Sequence, residues 1–395
     1  MDWTLEAIAE RAKRIRSPKF GQIAEVRNLA VGKEDIVDLG YGEPDFTTPF
    51  HIREAAKKAI DEGFTHYVLP VEGLTELREA ISKKLYADNG IDADPKSEVL
   101  VTAGVQEAIN VVMLTLIEPG DEVIMPEPYY YSHPLAVILA GGVSVYTQLK
   151  EDRDFRIDPD EVKDKINSKT KAIIYISPNC PTGSVFMRED LERIAESALE
   201  NKIFIVTDEI YEKLVYDGEK HLSIGSFPEV RGQTISMFGF SKAYAMTGWR
   251  IGYLTASGNL VKNFVELHGQ ITICANSIAQ KAALAALIGP QDCVEEMRKE
   301  YEDRRNLFIS GLSNLNIRCR YPKGSFYIYA NISGFGISGF EFAKRLAAEA
   351  KVISYPGTAF TTDESGPDYI RFAYTKSQDK LNTAIRRIEG VVRTI

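Results

Sequence analysis

Short apolar runs alternate with amphipathic stretches through most of this chain. Apolar residues recur at helical spacing in three early segments, which are His51–Glu62, Leu74–Asn89 and Gln106–Leu116. The runs between and after them are short and rich in β-branched residues, which predicts strands at Glu98–Thr102, Glu122–Met125, Val143–Gln148, Ala172–Ser177, Ile203–Thr207 and Gln233–Met237. Strands of this kind, separated by helices, are typical of an α/β fold with a mostly parallel sheet flanked by helices on both faces.

The pattern changes after Gly289-Pro290. A long charged helix leads into shorter strand and helix patterns and a final helix, at 292–312, 317–320, 325–330, 340–350, 369–374 and the C-terminus. Residues 1–48 form an arm, in which a charged amphipathic helix precedes a loop ending in Gly40-Tyr41-Gly42-Glu43-Pro44-Asp45. We therefore predict a large domain of residues 49–290 and a smaller α+β domain that combines residues 1–48 with residues 291–395.

Composition narrows the range of partners and compartments. The chain has 395 residues, 44% of them hydrophobic, so it is long enough for two domains with their own cores. Its net charge of −9 argues against a nucleic-acid partner. The four cysteines form no C-x-x-C pair and the five histidines lack metal-ligand spacing, so we expect reduced thiols and no metal. No apolar run is long enough for a membrane span or a signal peptide, so we expect a cytoplasmic protein.

Chemically useful residues follow several of the predicted strands. Ligands of an open parallel sheet bind at the carboxyl ends of its strands. Asp208 and Tyr211 follow one strand, Lys242 follows another, and the turn at Gly104 follows a third. Each has an ordinary explanation alone, because an aspartate caps helices, most lysines are solvated and most tyrosines fill cores. Their shared location at one sheet edge favours a common site instead.

This set of side chains suits pyridoxal 5′-phosphate (PLP). A lysine forms a Schiff base with an aldehyde, and a phosphate binds well at the N-terminus of a helix. A carboxylate beside the ring nitrogen keeps that nitrogen protonated and makes the ring an electron sink. At about 4 Å and an effective dielectric constant near 20, this ion pair is worth roughly 4 kcal/mol, or about three pKa units.

The segment from Ser241 to Gly252 resembles the cofactor-lysine signature of the class I/II aminotransferases, which belong to PLP fold type I and include aspartate aminotransferase. An arginine, Arg250, stands eight residues after Lys242, as the signature requires. Further motifs of that family follow in its order, and these are Gly42-Glu43-Pro44-Asp45-Phe46, Pro181-Thr182-Gly183, Asp208-Glu209-Ile210-Tyr211 and Tyr369-Ile370-Arg371-Phe372. The resemblance covers nearly the whole chain. It implies a transferase that moves the amino group of an L-amino acid to a 2-oxo acid such as 2-oxoglutarate.

The resemblance also implies roles for the residues around the cofactor ring. Lys242 holds PLP and, once displaced by substrate, moves the proton between the substrate Cα and the cofactor carbon. Asp208 pairs with the pyridine nitrogen, and Tyr211 donates to the phenolic oxygen of the ring. Tyr130 stacks on the ring face.

Other implied contacts concern the phosphate and the substrate. Arg250 binds the phosphate together with the backbone N–H groups of Val105 and Gln106. Arg371 binds the substrate α-carboxylate through a bidentate fork that a lysine does not reproduce. Gly42 lets the backbone approach that carboxylate. Tyr67 is expected to reach the phosphate of a neighbouring subunit, which implies a homodimer with shared active sites.

One position departs from the family pattern. The residue before Pro-Thr-Gly is usually an asparagine that donates to the phenolic oxygen and contacts the substrate carboxylate, and here it is Cys180. A thiol is a weak donor, and the adjacent Asn179 is expected to point the other way on an extended chain. We hypothesise that the lysine–cofactor linkage therefore has a raised pKa and that the carboxylate is held less tightly. A pH titration of the cofactor absorbance, comparing wild type with Cys180→Asn, tests this.

Two other readings of the sequence stay open. The same residues serve another PLP reaction, such as β-elimination at a C–S bond or decarboxylation, which the reaction product distinguishes. A PLP-sensing regulator is a second alternative, although no helix-turn-helix pattern or basic face precedes Gly42. The amino donor is also open between aspartate, alanine, aromatic and aminoadipate types. Phe20, Tyr130 and Phe360 are candidates to line a pocket that tolerates aromatic side chains.

Overall fold

A computed structural model describes residues 7–15, 18–362 and 366–395, and for residues 18–20 it describes the backbone alone. The first six residues of the predicted N-terminal helix and the side chain of Phe20 lie outside this description. Among the described helices, none combines the length and apolar character needed to cross a lipid bilayer.

The helices follow the predicted pattern closely from residue 50 onwards. Two short π-helical turns, Leu85–Asn89 and Leu346–Ala350, extend the helices that precede them. In chain order the α-helices are α1 Glu10–Arg14, α2 Pro18–Asn28, α3 Phe50–Asp61, α4 Thr75–Lys84, α5 Val105–Leu116, α6 Ser132–Leu139, α7 Pro159–Lys165, α8 Arg188–Asn201, α9 Gly258–Ile271, α10 Ser277–Ile288, α11 Asp292–Asn314, α12 Gly339–Arg345 and α13 Gln378–Val392.

Across the described residues the strands form sheets of seven, four and two strands. In chain order they are β1 Val37–Asp38, β2 Val99–Thr102, β3 Glu122–Glu127, β4 Val143–Gln148, β5 Thr170–Ile176, β6 Phe204–Asp208, β7 Thr234–Gly239, β8 Gly252–Thr255, β9 Arg318–Cys319, β10 Tyr327–Asn331, β11 Val352–Ile353, β12 Tyr355–Pro356 and β13 Tyr369–Ala373. The large sheet has the order β2-β8-β7-β6-β5-β3-β4.

The large sheet confirms the predicted mostly parallel α/β architecture. Strands β7, β6, β5, β3 and β4 pair in parallel, and β8 is antiparallel to both of its neighbours, β7 and β2. Strand β8 was not predicted, because its short sequence lies just after the cofactor-lysine motif and shows no long apolar run. Because β8 is antiparallel to both β7 and β2, β2 runs parallel to β7 and to the other central strands. The carboxyl end of β2 therefore lies at the same edge of the sheet as theirs.

Alternate residues of each central strand face opposite layers of the core. Ile173 and Ile205 pack in one hydrophobic cluster with helix α8, whereas Ile174 and Val206 pack in another with helices α5 and α9. A strand buried on both faces needs apolar side chains at consecutive positions, which explains why these strands read as continuous apolar runs.

The arm and the C-terminal segment are joined through backbone pairing. Strand β1 lies parallel to β11, and the N–H of Ala373 donates to the carbonyl of Leu39 at 2.7 Å. The four-stranded sheet β12-β13-β10-β9 is antiparallel. These contacts bring the glycine-rich loop that follows β1 beside the residues of β10, β12 and β13.

A buried arginine of helix α11 anchors the loop that follows Tyr216. Arg305 is 1% exposed, and its two terminal nitrogens donate to the carboxylate of Asp217 at 2.7 and 2.9 Å. The guanidinium lies between the rings of Tyr216 and Tyr321, each 4.9 Å from it. These hydrogen bonds are the main reason that the pKa of Asp217 falls to about 2.

We expect Asp217→Asn to lower the free energy of unfolding by about 2 kcal/mol, since it removes the doubly hydrogen-bonded carboxylate of a buried guanidinium and leaves only the more distant Glu302, at 3.8 Å, while Asp217 itself is partly exposed. The pKa of Asp217 is depressed in the folded protein, so this stabilisation is present above its unfolded value near 4 and is lost as the pH falls towards 2. Urea unfolding at pH 7 and at pH 3 measures both effects. Asp303→Asn, at an exposed position of the same helix, is the matched control, and equal losses in the two variants would contradict the prediction.

Candidate active site

A cavity of about 510 Å³ opens at the carboxyl edge of the seven-stranded sheet. Its walls come from parts of the chain that are far apart in sequence. They include the loop of residues 40–43, the start of α5, the ends of β5 and β6, the segment of residues 241–250, and side chains of β10, β12 and β13. The cavity therefore brings most of the predicted site residues together.

Lys242 reaches the cavity from the turn after β7. Its Nζ donates to the carbonyl of Gly42 at 2.7 Å. Burial lowers the pKa of Lys242 to about 8, and the nearby Cys180 and Glu43 only partly oppose this effect. The lowered pKa gives this amine a larger neutral fraction at neutral pH than an ordinary lysine has, and the neutral form is the nucleophile towards an aldehyde.

Asp208 is the last residue of β6 and is 2% exposed. Its Oδ2 lies 3.2 Å from Nε2 of His133, and its Oδ1 accepts the N–H of Ile210 at 3.1 Å. An ionised carboxylate only accepts hydrogen bonds, so Nε2 of His133 is the donor. His133 thus fixes the orientation of Asp208, a role that the sequence did not indicate.

The aromatic residues of the site form a connected group. The hydroxyl of Tyr211 lies 3.1 Å from the hydroxyl of Tyr327, and burial raises the pKa of both. The ring of Tyr130 lines the cavity and packs against Tyr131 and His133, with ring centroids 4.8 and 5.5 Å away. The hydroxyls of Tyr211 and Tyr327 therefore stay protonated at neutral pH, and one of them donates to the other.

The start of helix α5 and Arg250 form a cup. Gly104 precedes the helix with φ of 79°, and the N–H groups of Glu107 and Ala108 bond to its carbonyl. The first N–H groups of a helix have no intrahelical acceptor, so those of Val105 and Gln106 are free to bind an anion. A Cβ on Gly104 would lie 2.8 Å from Nη2 of Arg250, so a side chain there would push that guanidinium aside, and the positive φ would strain the backbone as well.

A buried hydrogen bond between two side chains supports this phosphate-binding cup. Oε1 of Glu107 lies 2.6 Å from Nδ1 of His268, which is fully buried, and the other oxygen of Glu107 accepts the N–H of Ala103. The pair therefore ties the turn before Gly104 to helix α9. The sequence did not reveal it, because the two residues are 161 positions apart.

Arg371 carries a buried charge that has no carboxylate partner among the described residues. It is 3% exposed, and its terminal nitrogens donate to the carbonyl of Gly40 at 2.5 Å and to the sulfur of Cys180 at 3.5 Å. Its Nε finds no acceptor in the described part of the chain. Neutral partners do not balance a buried cation, so the position is suited to an anionic ligand.

Cys180 and Asn179 lie outside the described lining of the cavity, and their side chains have different partners. Cys180 is fully buried beside Arg371. The side chain of Asn179 instead accepts the N–H and the hydroxyl of Thr182 at 3.1 and 2.8 Å. Asn179 therefore stabilises its own turn and does not replace the missing asparagine.

Several predicted residues stand apart from the cavity. Tyr67 is 71% exposed and does not appear in the described lining. Phe360 is fully buried, with its ring 4.5 Å from the guanidinium of Arg371, so it supports that residue from outside the cavity. Conversely, the cavity includes Tyr327 and Tyr355, which the sequence did not single out because ordinary strand patterns surround them.

The donors and acceptors present fit PLP. The amine of Lys242, the carboxylate of Asp208 and the phenol of Tyr211 face one cavity. Beside them, the N-terminus of α5 and the guanidinium of Arg250 form a cup for a phosphate, next to which Gly104 has no side chain. Among the residues that the structure describes, no cluster of three or more metal-binding side chains occurs.

Comparisons with known proteins agree with this chemistry. Residues 34–388 match the family described as aminotransferase class I and II. The chain is 42% identical to aromatic-amino-acid aminotransferase 2 of Thermococcus litoralis, over 98% of each chain. It is also 42% identical to an aspartate aminotransferase of Pyrococcus abyssi, over 94% of this chain and 95% of the relative. The crystal structure of an aromatic aminotransferase from Pyrococcus horikoshii OT3 superposes with a TM-score of 0.88 at 40% identity, covering 93% of this chain and 99% of that one.

We expect Gly104→Ala to weaken PLP binding at least about tenfold, because the new Cβ displaces the Arg250 guanidinium and the positive φ strains the helix start. Titrating the cofactor-free protein with PLP, followed by absorbance, gives the dissociation constant. Gly120→Ala is the control, since Gly120 also has a positive φ but a Cβ there meets no atom within 4 Å. Unchanged PLP affinity in Gly104→Ala would show that this cup does not bind the phosphate.

Proposed function

This chain belongs to the class I and II aminotransferase family, and on that premise we propose which residues carry its reaction and which amino acids it prefers. It is a PLP-dependent transferase that exchanges amino groups between amino acids and 2-oxo acids. When bound, the cofactor supplies an electron sink for negative charge at the substrate Cα. The observation that carries our assignment is that Lys242, Asp208 and Arg371 face one cavity.

The groups around Lys242 define the reacting end of the site. We propose that Nζ of Lys242 holds the cofactor and, once released by substrate, takes the proton from the substrate Cα. Asp208, oriented by His133, keeps the ring nitrogen protonated. Tyr211 donates to the phenolic oxygen, and Tyr130 covers one face of the ring.

The remaining polar groups bind the two anionic ends. Arg250 and the N–H groups of Val105 and Gln106 bind the cofactor phosphate. Arg371 binds the substrate α-carboxylate, which balances its buried charge. The missing side chain of Gly42, whose Cβ would lie 1.7 Å from the Tyr327 hydroxyl, keeps this end of the cavity open.

The charges of the cavity wall favour aromatic over acidic donors. Lys242, Arg250 and Arg371 are the cations of the described lining, and the roles above use all three. Arg27 touches the nearby Tyr41 ring, but Asp38 already holds it at 2.9 Å. The rest of the described wall is rich in tyrosine and isoleucine, which suits an aromatic side chain.

We further propose that the active form is a cytoplasmic homodimer in which Tyr67 reaches the phosphate of the neighbouring subunit. Tyr67 is 71% exposed and Leu69, two positions on, is 77% exposed. Exposed apolar side chains of this size are typical of a surface that a partner covers. We also propose that residues 1–48 and 291–395 form the small α+β domain, which the pairing of β1 with β11 supports.

The experiment for the function is a spectral titration without any oxo acid. The protein with PLP should show a visible absorption band that bleaches when phenylalanine or tyrosine is added, while aspartate acts at least about tenfold less efficiently, because the described lining leaves no further cation for its side-chain carboxylate. Lys242→Ala should abolish the visible band. Faster bleaching by aspartate would contradict the substrate assignment, and release of ammonia or sulfide in place of a 2-oxo acid would indicate a lyase.

The subunit arrangement has its own test. Tyr67→Phe should weaken PLP binding about tenfold, which is the usual value of a hydrogen bond to a charged group, and light scattering should give twice the chain mass for the wild type. Tyr86→Phe is the matched control, since Tyr86 is similarly exposed at 69%. A monomer with full PLP affinity would refute the shared site.

A further inference from the structure

Tyr327 occupies a central position that neither its sequence motif nor the roles above explain. It lies on β10 and is 3% exposed. In the antiparallel pairing of β10 with β13, Tyr327 is opposite Ala373 and Tyr329 is opposite Arg371. Tyr327 and Arg371 are therefore diagonal neighbours on one face of the small sheet.

The hydroxyl and the ring of Tyr327 contact separate parts of the site. The hydroxyl lies 3.1 Å from that of Tyr211, and the ring centroid lies 4.4 Å from the guanidinium of Arg371. The hydroxyl also takes the space that a side chain on Gly42 would fill. One side chain thus touches the phenol of the ring-facing end and the cation of the carboxylate-binding end.

Cys180 lies in the same group. Burial raises the pKa of its thiol, although the charge of Arg371 and a hydrogen bond shared with Tyr327 oppose the rise. A buried, mostly protonated thiol is a weak donor and does not replace the two hydrogen bonds of an asparagine amide. The loss at position 180 therefore leaves the phenolic oxygen of the cofactor with Tyr211 as its donor.

The direction of the Tyr211–Tyr327 hydrogen bond decides whether Tyr211 can donate to the phenolic oxygen of the cofactor. Tyr211 has one hydroxyl hydrogen, so it reaches the cofactor only if Tyr327 is the donor between the two. A hydroxyl that accepts one hydrogen bond becomes a stronger donor in the next. The other polar groups facing Tyr327 are Cys180, Arg371 and Tyr130, and the high pKa that burial gives Tyr327 keeps its proton in place.

We propose that Tyr327 is a positioning residue that substitutes for the missing asparagine, by donating to Tyr211 and by holding Arg371 against its ring. This inference rests on the proposed function, because it assigns Tyr211 to the phenolic oxygen of PLP. It links the two ends of the active site through one side chain of the small sheet.

The test is the pH titration of the visible band of the lysine-bound cofactor. A hydrogen-bond donor to the phenolic oxygen withdraws negative charge from that oxygen. The oxygen then stabilises the proton on the nitrogen of the lysine–cofactor linkage less well, so losing the donor raises the titration midpoint. Tyr327→Phe should raise the midpoint by about half a unit to one unit, the shift expected from one hydrogen bond. If Tyr211 instead donates to Tyr327, the substitution frees Tyr211 and the midpoint falls, which overturns the proposal.

Tyr301→Phe is the matched control. Tyr301 is a fully buried tyrosine close to the same core, and its hydroxyl has no hydrogen-bond partner within the described residues. Its removal should leave the midpoint unchanged. Thermal unfolding of both variants checks that each is folded. If the pH midpoint of the visible band is the same in Tyr327→Phe and Tyr301→Phe, the proposal is overturned.

Two double-variant cycles separate positioning from a general disturbance. In Tyr211→Phe, the further change Tyr327→Phe should add no shift, because Tyr327 acts through Tyr211. In Cys180→Asn, which restores the amide donor and should itself lower the midpoint, Tyr327→Phe should have less than half of its effect in the wild type. If Tyr327→Phe shifts the midpoint in Tyr211→Phe or in Cys180→Asn by as much as it does in the wild type, the proposed role of Tyr327 is overturned.

The outcome also distinguishes this inference from the function on which it depends. A wild-type protein that never forms a visible band with PLP overturns both. A normal band that bleaches with amino acids, together with a Tyr327→Phe midpoint equal to that of wild type, overturns the role of Tyr327 alone.

Discussion

Ionisable side chains withdrawn from water impose the main constraint on this protein. Arg371 is a buried cation whose protein partners are a carbonyl and a thiol, and Lys242 is an amine whose burial brings its pKa to about 8. Burying Arg371 without a carboxylate partner among the described residues, and Lys242 with only partial compensation from Glu43, costs stability, and an anionic ligand offsets that cost when it binds. The folded chain therefore accepts a less stable unliganded site and keeps its positive charge available for substrate and cofactor.

The fold meets this constraint by drawing the site from separate layers. The parallel strands bring Asp208 and Lys242 to one edge, and the small antiparallel sheet supplies Arg371 and Tyr327. The loop at Gly40–Gly42 closes the gap, with carbonyls that accept from both Arg371 and Lys242. Because these contacts join both parts of the chain, a movement of the small sheet alters the environment of both cations together.

The replacement of an asparagine by Cys180 shows how such a site tolerates change. The substituted position keeps a buried contact with Arg371 but loses a strong donor. The neighbouring Asn179 bonds within its own turn, so the compensation that we propose comes from another element. Tyr327 is near enough to provide it, since its hydroxyl already lies beside that of Tyr211.

The sequence by itself determined the features that depend on local spacing. Apolar periodicity predicted the parallel strands and most helices, and the placement of Asp208 and Lys242 after those strands predicted a shared edge. Tertiary structure decided the contacts that join residues far apart. No local pattern reveals the hydrogen bonds between His133 and Asp208 and between Glu107 and His268. The same is true of the antiparallel strand β8 and of the contact between Tyr327 and Tyr211. The physical reason is that periodicity records which face of an element is buried, whereas hydrogen bonds between distant side chains depend on how those elements pack.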